Sequence, residues 1–155
     1  MNNNIEIRLG DTRDYNTVIS FFNELDKEMN DMLPGILKCN ELGCSKEQEE
    51  LFKEVLNGKF GFVLVAEKNN EILGIAIILD EEKNKTNAHL EALIIKEEYR
   101  KLHIGRTLME EAKKKVKEDG YKYMSLKVLS NNTKALGLYE KNGFNEYMRS
   151  MICKL

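Results

Sequence analysis

The chain has 155 residues, 42% of them hydrophobic and 32% charged, with a formal net charge of −2 at pH 7. That length suits one domain, residues 1–155, with a real core, and the composition is that of an ordinary globule rather than a disordered chain. The near-neutral balance offers no basic face for nucleic acid, no apolar run approaches the roughly 20 residues of a membrane helix, and "MNNNIEIRL" lacks the charge and apolar centre of a signal peptide. Cys39, Cys44 and Cys153 are odd in number and lack metal-type spacing with histidine. They read as reduced thiols of a cytoplasmic protein, and no metal is expected.

In chain order, Ile5 to Leu9 alternates and predicts a first strand. From Asp11, the residues Tyr15, Val18, Ile19, Phe22 and Leu25 recur at helical spacing, and Pro34 and Gly35 break the chain after them. Ser45 and Gln48 form a capping-box pattern ahead of a second helix, which carries Leu51, Val55 and Leu56 and stops at Gly58. "FGFVLVAE" and "EILGIAIILD" predict two strands joined by the turn "KNNE". A charged loop, Asp80 to Asn87, leads to another strand over Ala88 to Ile95. Ile104, Leu108, Ala112 and Val116 lie four apart, so they form one buried stripe of a helix ended by Gly120. "YMSLKV" supplies the next strand, and the order strand, helix, strand implies a right-handed parallel crossover. A short helix in "NNTKALGLYEKNGF" and a final strand in "NEYMRSMICKL" complete a mixed α/β pattern.

Between the fourth strand and its helix stand Arg100, Lys101, Leu102, His103, Ile104 and Gly105, followed by Arg106. The first N–H groups of a helix have no partner within it, and the peptide dipoles add partial positive charge there. An anion at that mouth collects several N–H bonds and the fields of the nearby cations. Gly105 has no Cβ and lets a ligand approach the backbone.

A second cluster, Asn132, Ala135, Leu138, Tyr139, Glu140, Lys141, Gly143 and Phe144, reads N-x-x-A-x-x-L-Y-E-K-x-G-F. With L-x-I-x-x-x-Y-R-x-x-x-x-G over Leu93 to Gly105, it resembles the GNAT (GCN5-related N-acetyltransferase) family, which moves an acyl group from coenzyme A to an amine. The specific part of the resemblance runs from Leu90 to Phe144. His103 stands where the family's loop, R/Q-x-x-G-x-G/A, has its first glycine. The resemblance implies the GNAT fold, a mixed six- to seven-stranded central sheet flanked by about four helices. It also implies acetyl-CoA as acyl donor and a homodimer.

By the same resemblance, the amides of Lys101 to Arg106 cradle the diphosphate and the backbone of Leu93, Ile94 and Ile95 runs beside the pantetheine arm like an added strand. Asn132 and Ala135 approach that arm from the other side, and Lys141 helps with phosphate charge. A protonated amine, with a pKa of ~10.4 for a lysine-like group, must lose its proton before it attacks a thioester. Glu91 is the candidate base, directly or through a water. A main-chain N–H at Leu93 or Ile94 could meet the oxyanion. Tyr139 matches the family's tyrosine and is the candidate general acid, since a phenol of pKa ~10 can protonate a thiolate whose conjugate acid is ~8.5. Glu24, Asp26, Glu28 and Asp31, with Asp80, Glu81 and Glu82, suggest an acidic rim that favours a small cationic amine as acceptor. The alternatives are a protein or peptide N-alpha or lysine amine, and a weakly catalytic acetyl-CoA-binding module.

Overall fold

The computed structural model describes residues 4–80 and 85–155. Its centre is a hairpin of β2 (Gly61–Lys68) and β3 (Glu71–Leu79), whose branched side chains fit a pleated ribbon. The turn between them places Asn69 and Asn70 at positive φ (52° and 63°), a conformation asparagine tolerates better than most residues. β1 (Glu6–Leu9) adds antiparallel to β2, and β4 (Asn87–Ile95) antiparallel to β3. β5 (Tyr123–Leu126) pairs with β4 in parallel, which gives one five-stranded sheet in the order β1-β2-β3-β4-β5.

Helices α1 (Tyr15–Met32) and α2 (Lys46–Leu56) carry Val18, Phe21, Phe22, Phe52 and Val55 onto one face of the sheet, against Val63, Val65, Ile75 and Ile77. Phe22 and Phe52 meet edge to face with ring centres 5.0 Å apart. The capping box expected at Ser45 is present, with Ser45 and Gln48 each accepting the other's backbone N–H. On the opposite face lies α3 (Ile104–Glu118), whose stripe Ile104, Leu108, Ala112 and Val116 is buried as expected, together with Met109. Burying one such leucine is worth about 2 kcal/mol, so this stripe decides which face of α3 meets the sheet. Gly120 follows at φ +91°, the left-handed position that ends the helix. A fourth helix, α4 (Thr133–Lys141), comes after β5.

The sheet therefore has five strands rather than six or seven among the described residues, and the strand expected in "NEYMRSMICKL" does not form. Residues 145–155 are exposed throughout, Met151 to 94%. Tyr147 and Met148 lie side by side, as do Met151 and Ile152, a spacing that builds neither the single face of a strand nor a helical stripe. β5 also stops at Leu126 instead of continuing to Val128.

One polar cluster ties the elements together. Arg8 on β1 donates to both carboxylate oxygens of Asp14 (2.9 and 3.0 Å) and through Nε to Glu67 on β2 (2.6 Å). Asp14, which also accepts the Asp11 N–H, is buried, and the Arg8 guanidinium holds its carboxyl below the usual carboxylate range. A carboxyl depressed on folding contributes stability that is present above its unfolded value of ~3.9 and is lost as pH falls through the folded value. Urea midpoints of the native chain should therefore fall as pH is lowered from 5 to 3. Asp14→Asn should start from a lower midpoint and show a flatter slope. An equal slope in the two proteins would assign the acid sensitivity elsewhere.

Candidate active site where β4 leaves β5

The register of β4 is irregular at one residue. Ile77 of β3 pairs with Ala92 while the next residue, Ile78, pairs with Leu90, so Glu91 is the extra residue of a β-bulge. The bulge reverses the facing of the strand. Ala88 and Leu90 pack on the α3 side, whereas Ala92 and Ile94 pack on the side of α1 and α2. Glu91 is half-buried, with its Oε2 3.7 Å from Nε2 of His89.

β4 and β5 run paired only from Asn87–Leu90 against Tyr123–Leu126. Beyond that point β4 keeps β3 on one edge as far as Ile95, and no strand of the described residues lies on its other edge. Leu93, Ile94 and Ile95 thus stand on an open ladder, able to pair with an extended ligand as they would with a strand.

This open edge leads to the mouth of α3. Lys101 and His103 take positive φ (74° and 59°), and His103 is the N-cap with no side-chain capping bond. Thr107 is the first amide with a carbonyl four residues back, that of His103. Among the described residues, the amides of 101–106 find no backbone acceptor, which is the donor set an anion needs. Lys101 and Leu102 are exposed at the loop's tip. Gly105 lies inside the helix, and a Cβ there would meet Leu138 of α4 and Ile95 of β4 at 3.7 and 3.8 Å. The three elements therefore converge at this glycine.

The left-handed conformation of His103 has a testable cost. A glycine there adopts φ 59° without strain, which offsets its greater freedom when unfolded. His103→Gly should raise stability by about 0.5–1 kcal/mol, read as a higher urea midpoint. A lower midpoint would mean that imidazole contacts outweigh the strain.

Two arginines of the loop already have partners. Arg100 donates from Nε to the Ile95 carbonyl (3.1 Å) and from Nη2 to Glu28 of α1 (2.7 Å), so it clamps the end of β4 to α1. Arg106 pairs with Glu110 one turn along α3 (2.8 Å). On α4, Asn132 caps the helix by accepting the Ala135 N–H (3.2 Å), which leaves its own NH₂ available. Lys141 is exposed at the other end.

Tyr139 packs edge to face on Phe144, with ring centres 6.0 Å apart, in the cluster that also holds Leu93, Ile95 and Ile104. Burial pushes its phenol above the ordinary value. Its hydroxyl has no hydrogen-bond partner among the described residues, yet it is not sealed from solvent.

The structure also separates residues that sequence reasoning had grouped. Asp26 accepts the Gly43 N–H (2.8 Å) and Glu28 holds Arg100. Asp80 is 8% exposed at the far end of β3, beside the start of β2 and away from the α3 mouth and the end of α1 that carries Glu28. Glu81 and Glu82 lie outside the described residues. Burial raises the Cys44 thiol to about 11, with Glu49 and Asp26 adding to the effect, so it stays protonated and unreactive. Three contacts were not anticipated from the sequence: His89 beside Glu91, Ser125 beside His89, and Asn131, whose NH₂ donates to the Met32 carbonyl (2.8 Å) and draws the end of α1 towards α4. The pair His89 and Glu91, two apart on a strand, was the visible signal for the first of these.

A family model for GNAT acetyltransferases matches residues 24–144. The chain belongs to the GNAT family. A curated relative from Bacillus subtilis, "Putative [ribosomal protein bS18]-alanine N-acetyltransferase", is 32% identical over 99 residues, and the match spans 62% of each protein's length. Among solved structures, a mutant of the BH1408 protein from Bacillus halodurans superposes with a TM-score of 0.78 at 20% identity, covering 97% of this chain and 99% of that one. AAC(6')-Iy in complex with the bisubstrate analogue CoA-S-monomethyl-acetylneamine superposes with a TM-score of 0.70 at 14% identity, covering 99% of both chains. At such identities the two structures speak for the GNAT fold alone. Among the described residues, no helix is long and apolar enough to cross a membrane, and no group of three or more His, Cys, Asp or Glu could hold a metal ion.

Proposed function

We propose that this GNAT chain transfers the acetyl group of acetyl-CoA to a primary amine by direct attack. The observation that carries this is the meeting of three features at Gly105: the open edge of β4, the unpartnered amides at the mouth of α3, and α4 with Tyr139. The diphosphate would sit on the amides of Lys101 to Arg106, with Lys141 adding positive charge. The pantetheine would pair with Leu93 to Ile95, while the NH₂ of Asn132 and the backbone at Ala135 border it from α4. Glu91 would take the amine's proton, directly or through one water. As nitrogen attacks the thioester carbon, charge would collect on the carbonyl oxygen, near the Leu93 N–H, since the Ile94 N–H faces β3 as the Lys96 N–H does. The C–S bond would then break and Tyr139 give its proton to the departing thiolate. A half-buried phenol whose pKa is raised by desolvation remains protonated at neutral pH and suits that task.

Glu24 and Asp31 on α1 support a small cationic amine as acceptor. The curated relative supports a second acceptor, the α-amine of a peptide beginning with alanine. One experiment tests both. The chain is mixed with acetyl-CoA and, in turn, a polyamine, an aminoglycoside, a lysine peptide and an alanine-first peptide, while free thiol is followed. Calorimetry with acetyl-CoA alone runs beside it. Heat of binding with thiol release for one class is expected. Binding without release from any amine would leave only a regulatory module, and absence of binding would overturn the proposal.

A further inference from the structure

His89 is 6% exposed, and its surroundings constrain its protons. It lies opposite Ser125 in the β4–β5 ladder, one pair before the strands separate. Asn87 Nδ2 donates to Ser125 Oγ at 2.9 Å, and Ser125 Oγ stands 3.1 Å from His89 Nδ1. A hydroxyl has one hydrogen to give. With the Asn87 amide already donating into Ser125, the arrangement that uses each hydrogen sends the serine proton to Nδ1. The imidazole then carries its own hydrogen on Nε2, the atom 3.7 Å from the Glu91 carboxylate.

We infer that His89 is a positioning residue: its Nε2–H, fixed by Ser125 and Asn87, aims and holds the carboxylate of Glu91. This rests on the proposed role of Glu91 as base. The bulge explains why such a holder is needed. A bulged residue is unpaired in the ladder, so its side chain takes its direction from neighbours rather than from the pleat. At 3.7 Å the contact is longer than a hydrogen bond, and catalytic contacts of this kind tighten when substrate arrives. The arrangement also puts the holder where β5 leaves β4, so the residue that aims the base and the start of the pantetheine slot share one anchor.

Two measurements test it. The first needs no substrate: ¹⁵N spectra of the imidazole in the intact chain should show the Nε2–H tautomer for His89, and Ser125→Ala should disturb it. An Nδ1–H tautomer overturns the inference. The second is steady-state kinetics of His89→Leu, His89→Gln and Ser125→Ala, with their folding checked by circular dichroism. His89→Leu should lower kcat about tenfold with the KM for acetyl-CoA within twofold. His89→Gln, which keeps an N–H donor, should recover a good part of the loss, and Ser125→Ala should lie between. If His89→Leu does not fold, the glutamine and alanine variants decide. Turnover within twofold of the native value in both overturns the positioning role while leaving the transferase standing. A native chain that acetylates no amine removes the base and this role with it.

Discussion

Tyr139→Phe should bind acetyl-CoA with nearly unchanged affinity and turn over at least tenfold more slowly. The substitution keeps the ring that packs on Phe144 and fills the cluster with Leu93, Ile95 and Ile104, so the walls of the slot survive. What it removes is one hydroxyl that has no hydrogen-bond partner among the described residues and is not sealed from solvent. A tenfold loss corresponds to about 1.4 kcal/mol of transition-state stabilisation, modest for a general acid, because solvent can deliver the proton slowly in its place. Calorimetry gives the affinity and thiol release gives the turnover. A matching drop in both would make Tyr139 a binding residue, and unchanged turnover would remove it from the reaction.

Gly61→Ala should be the most damaging single methyl in the chain. Gly61 opens β2 at φ +142°, and a Cβ there would stand 2.0 Å from the Ile78 carbonyl oxygen and 2.9 Å from its carbon. Both are backbone atoms, so no side chain can rotate aside. β2 would have to move off β3 at a pair next to the buried Phe62 and Ile78. Strain of about 1–3 kcal/mol from the backbone conformation adds to the cost of the parted ladder, for a total of about 3 kcal/mol or more. A urea titration reads this directly. A loss below about 1 kcal/mol would mean that β2 and β3 part here without cost.

The parts that could be read from residues alone are those governed by period. The stripe from Ile104 to Val116, the apolar runs of β2 and β3 and the box at Ser45 each follow from local spacing, and each forms. The mouth of α3 was legible for the same reason, since a helix start with adjacent cations is a local pattern. The bulge was not. Ala88, Leu90, Ala92 and Ile94 look like one apolar face, and only pairing with Ile77 and Ile78 shows that the face changes at Glu91. The same limit hid Ser125, which meets His89 across 36 positions of sequence. It also hid the clamp of Arg100 on Glu28, since a phosphate loop and an ion pair both ask for an arginine. The closing segment failed differently. Its apolar residues are real, but spacing says nothing about whether a neighbour is there to receive them.

The parting of β4 from β5 leaves the sheet with a gap about five residues long, from Glu91 to Ile95. In that stretch alternate amides point to water while those between them are locked to β3. Deuterium uptake should therefore be uneven along a single strand, and arrival of a ligand in the gap should quench only the fast half. On the proposed reading the acyl carrier would act as a transient sixth ribbon, and the strand would be at its most ordered while loaded.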